Sequence, residues 1–162
     1  MIDVKLAMIT KKNIGMVAHD HLKKDMAEFV EYNYQTLLPH HIVCTGTTGR
    51  IVEEALKKRM TKESVHPPIQ ITRLNSGPLG GDQQLGAMIV EGKIDYLFFF
   101  WDPMQPQPHD VDVKALLRLA VLYNIPTAMS RSSADFLISS PLFGGKYKHT
   151  VQDYSSYLNR VI

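Results

Sequence analysis

Cysteine, long apolar runs and an excess of either charge are what this chain has least of. Cys44 is the only cysteine in 162 residues, so no intrachain disulfide can form, and a reducing cytoplasm is the expected setting. The longest pure apolar run, Tyr96-Leu97-Phe98-Phe99-Phe100-Trp101, falls far short of the roughly 18 residues needed to cross a bilayer, so no membrane partner is expected. The first residues place Asp3, Lys5, Lys11 and Lys12 around a short apolar patch, without the long apolar core and small-residue cleavage site of a secretory signal. Formal net charge is only +2, with Lys and Arg scattered among Asp and Glu, which leaves no electrostatic footprint for nucleic acid. Small molecules are the expected ligands.

The length suits one domain spanning residues 1–162, and at 44% hydrophobic and 21% charged the chain can bury a sizeable core. Short apolar runs alternate with longer amphipathic segments, the pattern of parallel strands joined by crossover helices. Strands are expected at Ile14–Ala18, Ile42–Cys44, Ile69–Leu74, Tyr96–Phe100 and Pro126–Ala128. Helices should fill His21–Tyr32, Thr48–Arg59, Gln83–Glu91, Asp112–Tyr123, Ala134–Ser139 and Tyr154–Val161. Right-handed crossovers would then build a Rossmann-like, doubly wound α/β sandwich, with a mainly parallel five-stranded sheet flanked by helices. Met60–Pro68, polar and ending in two prolines, reads as a surface loop.

In such sheets ligands bind beyond the carboxyl ends of the strands, so the residues just after each strand carry the chemistry. The richest of these stretches is Ser76-Gly77-Pro78-Leu79-Gly80-Gly81-Asp82-Gln83-Gln84, a glycine-rich turn that sets Asp82 at a helix start, beside free N–H groups that favour negative charge. Asp82 is the candidate base. Thr45-Gly46-Thr47-Thr48-Gly49 follows a strand and opens a helix, so it reads either as a phosphate cradle or as an ordinary helix cap. It is not a Walker A loop, because the lysine is missing. Lys23 could supply a cation, although a lysine near a helix start is commonly just solvated.

His19, Asp20 and His21, like His40 and His41, lack the spacing of a tetrahedral zinc motif, so no metal is expected and a hydrogen-bonding or proton-shuttling histidine fits better. His109, in a loop with Pro103, Pro106 and Pro108, suits an electrophile that polarises a carbonyl. Asp112 reads as an N-cap, whereas Asp102 at a strand's carboxyl end needs a partner to offset desolvation. Cys44 reads as a small buried hydrophobe.

Taken in order, Val17-Ala18-His19-Asp20, Thr45 to Gly49, Ser76 to Gln84, Phe99-Phe100-Trp101-Asp102-Pro103, Pro108-His109-Asp110 and Asp112-Val113-Lys114-Ala115-Leu116-Leu117-Arg118 resemble the methylglyoxal synthase family nearly end to end. That resemblance implies a cofactor-free lyase that converts dihydroxyacetone phosphate to methylglyoxal and inorganic phosphate. It also implies a homohexamer inhibited allosterically by phosphate. Carried onto this sequence, Asp82 is the general base, His109 sits by the carbonyl, and Asp112, Asp20 and Asp102 line or support the site. His19, Lys23, Thr45, Gly46, Thr47, Thr48, Ser76 and Gly77 bind substrate, mostly through its phosphate. Arg160 matches an arginine that in the family lies at a subunit boundary, although from the sequence alone a helix-terminal arginine favoured by the macrodipole is the preferred reading.

Two stretches depart from the family pattern: Met60–Pro68 is longer, and Thr127-Ala128-Met129-Ser130-Arg131-Ser132-Ser133 lacks an asparagine. Two rivals share the fold or the base. One is a regulatory effector-binding module like that of carbamoyl phosphate synthetase, and the other is a sugar-phosphate isomerase that would retain the phosphate.

Overall fold

The computed structural model describes residues 10–161, so the N-terminal Asp3 and Lys5 lie outside the described residues. Five strands form one sheet: β1 (Asn13–Ala18), β2 (His41–Cys44), β3 (Gln70–Arg73), β4 (Tyr96–Phe100) and β5 (Thr127–Ala128). Their order is β3-β2-β1-β4-β5 and every neighbouring pair is parallel. The chain steps outward from β1 to β3, then crosses back to lay β4 against β1, which puts a topological switch point between β1 and β4.

The helices are α1 (Lys23–Tyr32), α2 (Tyr34–Leu37), α3 (Gly46–Glu63), α4 (Gly81–Val90), α5 (Asp110–Leu122), α6 (Arg131–Ser139) and α7 (Ser155–Leu158). Strand residues alternate between two cores because successive side chains point to opposite faces. Ile14, Met16, Phe98 and Phe100 pack with Met26 and Phe29 of α1, Val52 and Leu56 of α3 and Ala134 of α6. Val17, Leu97 and Phe99 pack with Leu85 and Ile89 of α4 and Val113 and Leu116 of α5. β4 is buried along its whole length, which is why its sequence is an unbroken apolar run. Each large side chain so buried contributes about 1.5–3 kcal/mol.

Several element boundaries differ from the sequence reading. Met60–Pro68 is not all loop: α3 continues to Glu63, held by buried Met60 and an Arg59–Glu63 ion pair (2.9 Å), and ends at Ser64 with φ 53°. The chain then departs through Pro67 and Pro68, which cannot extend a helix. α2 was not expected; the short turn forms because Tyr34 and Leu37 both enter the core. The C-terminal helix shrinks to the single turn Ser155–Leu158, whose residues are not buried. Asp112 does not cap α5, because the helix starts two residues earlier with His109 in the capping position.

Candidate active site

A cavity of about 230 Å³ opens at the carboxyl ends of β1 and β2, where the loops after β1, β2, β3 and β4 converge. His19, Asp20, Lys23, Thr45, Gly46, Thr47, Thr48, Ser76, Gly77, Asp82 and His109 all line it. The fold thus unites eleven candidates from four separate stretches of sequence. Asp102 and Asp112 lie behind the wall, and Arg160 lies elsewhere, stacked on the exposed Tyr157 ring at 4.0 Å. Val17, Ala18, Pro78 and Gln107 also line the cavity and were not among the candidates. For Gln107 the available signal was its place two residues before His109, in a loop leaving a strand's carboxyl end.

Asp82 is the second residue of α4, presented by a 3-10 turn over Gly77–Leu79 and by Gly80 in the left-handed region. It is only 1% exposed, and neither carboxylate oxygen has a hydrogen-bond partner. Burial pushes its carboxyl above the usual value; His109 opposes that rise and Asp112 adds to it. His109 Nε2 stands 3.4 Å from Asp82 Oδ2, while His109 Nδ1 is buried without a partner. Gly77 makes this pairing possible, because a Cβ there would lie 2.6 Å from His109 Nε2.

His19 lines the cavity beside this pair. The Asp102 N–H donates to His19 Nδ1 (3.1 Å), so the neutral ring carries its proton on Nε2, which is buried and unpartnered. Burial and the neighbouring His109 hold the His19 pKa down, which favours that neutral donor. The His19 and His109 rings meet edge to face, with centroids 6.1 Å apart.

The opposite side is built from backbone and hydroxyl groups. α3 starts at the wall with Thr45 in the capping position, and its first turn offers N–H groups that have no intrahelical acceptor. The Gly46 N–H is already taken by Leu74 O and Asn75 O, and the Thr48 hydroxyl is bound to the Ala18 backbone (3.2 and 3.3 Å). Thr48 therefore joins β1 to α3, and Thr47 is the freer hydroxyl. Gly46 adopts φ +33°, and a Cβ there would lie 2.6 Å from the Ser76 Cα, so the loops after β2 and β3 meet here only through glycine. Lys23 is ion-paired with Asp20, whose carboxyl its hydrogen bond holds below the usual range. Among the described residues no cluster of His, Cys, Asp and Glu is placed to hold a metal ion.

Residues 25–129 match a family model described as an MGS-like domain. The methylglyoxal synthase of Maridesulfovibrio salexigens is 60% identical over 151 residues, covering 92% of this chain and 96% of that one. That of Proteus mirabilis is 49% identical over 98% of this chain and 97% of its own. The chain belongs to the methylglyoxal synthase family. A crystal structure of methylglyoxal synthase from Elizabethkingia anophelis superposes with a TM-score of 0.81 at 45% identity, covering 94% of this chain and 93% of that one. Membership makes the chain a lyase rather than a regulatory effector-binding module. The methylglyoxal synthase match spans His19 and Lys23 through the near-full-length relatives, although the family model begins after both.

Proposed function

We propose that the chain converts dihydroxyacetone phosphate to methylglyoxal and inorganic phosphate through an enediolate, with Asp82 as general base. The observation that carries this reading is Asp82 itself: a buried carboxylate with both oxygens unpartnered, its basicity raised by burial, at the wall of a cavity sized for a small phosphate ester. Asp82 takes a proton from the hydroxymethyl carbon, and the C–H electron pair becomes the enediolate π bond. The oxygen that gains negative charge is met by the His19 Nε2–H and by His109. The enediolate then expels phosphate as the C–O bond breaks, leaving an enol that takes a proton to become methylglyoxal. The first turn of α3, Thr47, Ser76, Gly77 and Lys23 hold the departing phosphate. No cofactor enters these steps.

Inorganic phosphate, the product, is the proposed allosteric inhibitor. The proposed assembly is a homohexamer, to which exposed Phe136, Val121 and Val111 could contribute apolar contacts and in which Arg160 would meet a neighbouring subunit. No helix among the described residues is long and apolar enough to cross a membrane, and the proposed setting is the cytoplasm. The test is incubation with dihydroxyacetone phosphate and chelator, following free phosphate and trapped methylglyoxal together. Equal release of both, lost in Asp82→Asn, is the expected result. Glyceraldehyde 3-phosphate without free phosphate would identify an isomerase instead.

A further inference from the structure

Three hydrogen bonds join the last residue of β4 and the loop after it to the loop after β1. The His19 N–H donates to Phe100 O (3.1 Å), the Asp102 N–H donates to His19 Nδ1 (3.1 Å), and His21 Nδ1 donates to Asp102 Oδ2 (2.9 Å). Asp102 Oδ1 meanwhile closes its own turn, accepting from the N–H groups of Met104 (2.9 Å) and Gln105 (3.3 Å). His21 does not line the cavity and its side chain is 69% exposed, yet it holds the second oxygen of the residue that fixes His19. We propose that His21 is a positioning residue for the reaction: its Nδ1–H fixes the Asp102 carboxylate and turn, which keeps the Asp102 N–H on His19 Nδ1 and so keeps the proton on His19 Nε2 in the cavity.

The physical consequence of losing that strut lies in the charge His19 presents. Without a donor at Nδ1 the ring is free to tautomerise or turn, and a lone pair at Nε2 repels the oxygen that must accept negative charge. The same loop carries His109, so its looseness also spreads the electrophile's position. Groups that would grip phosphate sit on the loops after β2 and β3 and on Lys23, outside this strut.

His21→Ala is a substitution at an exposed side chain and should fold, while His21→Asn offers an amide N–H near the position of Nδ1. The kinetic arm rests on the lyase reading; the spectroscopic arm does not. In His21→Ala we expect kcat with dihydroxyacetone phosphate to fall about tenfold with KM within about twofold, and His21→Asn to recover most of the loss. Imidazole 15N–1H spectra should show the His19 Nδ1 signal losing its hydrogen-bonded shift in His21→Ala and regaining it in His21→Asn. An unchanged His19 spectrum in His21→Ala overturns the proposal, as does an unchanged kcat in an active enzyme. If the wild-type protein releases no phosphate, the lyase reading fails, and the His19 spectrum alone decides the role of His21.

Discussion

The two ends of the sheet carry the same kinds of side chain in opposite states. At the amino end, buried Lys12 donates from Nζ to Tyr147 O (3.1 Å) and from its backbone to His40 Nδ1 (3.1 Å). There His41 uses both ring nitrogens, on Asn13 Oδ1 and Thr72 Oγ1, and Asp95 accepts from the Asn13 N–H. At the carboxyl end, Asp82, His19 and His109 supply four of the five buried side-chain polar atoms without a partner among the described residues. A satisfied polar group binds the fold together, whereas an orphaned one lowers stability and is available to a ligand. Histidine and aspartate alone therefore do not mark the site; their unmet hydrogen-bonding capacity does.

Asp82→Asn should break the comparison most sharply. Turnover should fall by about 10²–10⁴-fold with phosphate affinity nearly intact, measured by phosphate release and by calorimetric titration. Stability should move the other way. Because burial raises the Asp82 pKa above its ordinary 3.8, the folded state binds the extra proton and loses stability as pH rises through the window between the two values. At neutral pH the wild-type protein holds an unpartnered carboxylate that the amide removes, so scanning calorimetry should give a higher Tm for the variant, with the gap closing as pH falls toward 3.8. A lower Tm at neutral pH would mean that Asp82 has partners after all.

With Asp82 as the proposed base, the same raised pKa should set the acid limb of activity. A base must be deprotonated to act, so kcat/KM should decline on acidification through a value above the ordinary 3.8. A limb at the ordinary value would assign it to an exposed carboxylate instead.

Gly77→Ala and Gly144→Ala sharpen the contrast in backbone terms. The Cβ of Gly77→Ala would sit 2.6 Å from His109 Nε2 and 3.4 Å from Asp82 Oδ2, forcing the ring away; a loss of about 10²-fold in kcat/KM is expected. At Gly144, beside the Phe143 ring that packs on His40 and Tyr96, a Cβ meets nothing within 4 Å, and activity should stay at the wild-type level. Steady-state kinetics on the two variants side by side would test whether close approach at the carboxyl end is functional.

The strands were legible because a two-faced buried strand such as Tyr96–Phe100 is an apolar run that no surface element imitates. Most cavity residues were legible too, since a parallel sheet sends every loop after a strand to one end. What the sequence hid depends on contacts between distant residues. Lys12 and Tyr147 are 135 positions apart, and no local pattern marks Lys12 as buried. The last turn of α3 was obscured by its polar composition, although Met60 faces the core. Nothing in His19-Asp20-His21 reveals that His19 is bound by the Asp102 backbone N–H and that His21 binds the Asp102 carboxylate, and the resemblance that named Arg160 does not bring it to this chain's own cavity.

His40→Ala should have the smallest effect on activity and still decide whether the two ends differ in kind. Removing the ring strands the buried Lys12 N–H and strips a neighbour from Phe143, a cost of about 1–3 kcal/mol from the unmet donor. Burial, then Lys12, holds the His40 pKa below 6.5, so the unfolded chain takes up a proton there before the folded one does. That contribution is fully present above 6.5 and is lost as pH falls through the lowered value, so the stability gap between wild type and variant should narrow on acidification. Urea unfolding across that range measures the gap, and kcat at neutral pH should stay within about twofold of wild type because no polar atom at this end is aimed into the cavity. A large fall in kcat would mean that the amino end is coupled to the chemistry, and that satisfied and orphaned histidines do not divide the molecule into scaffold and site.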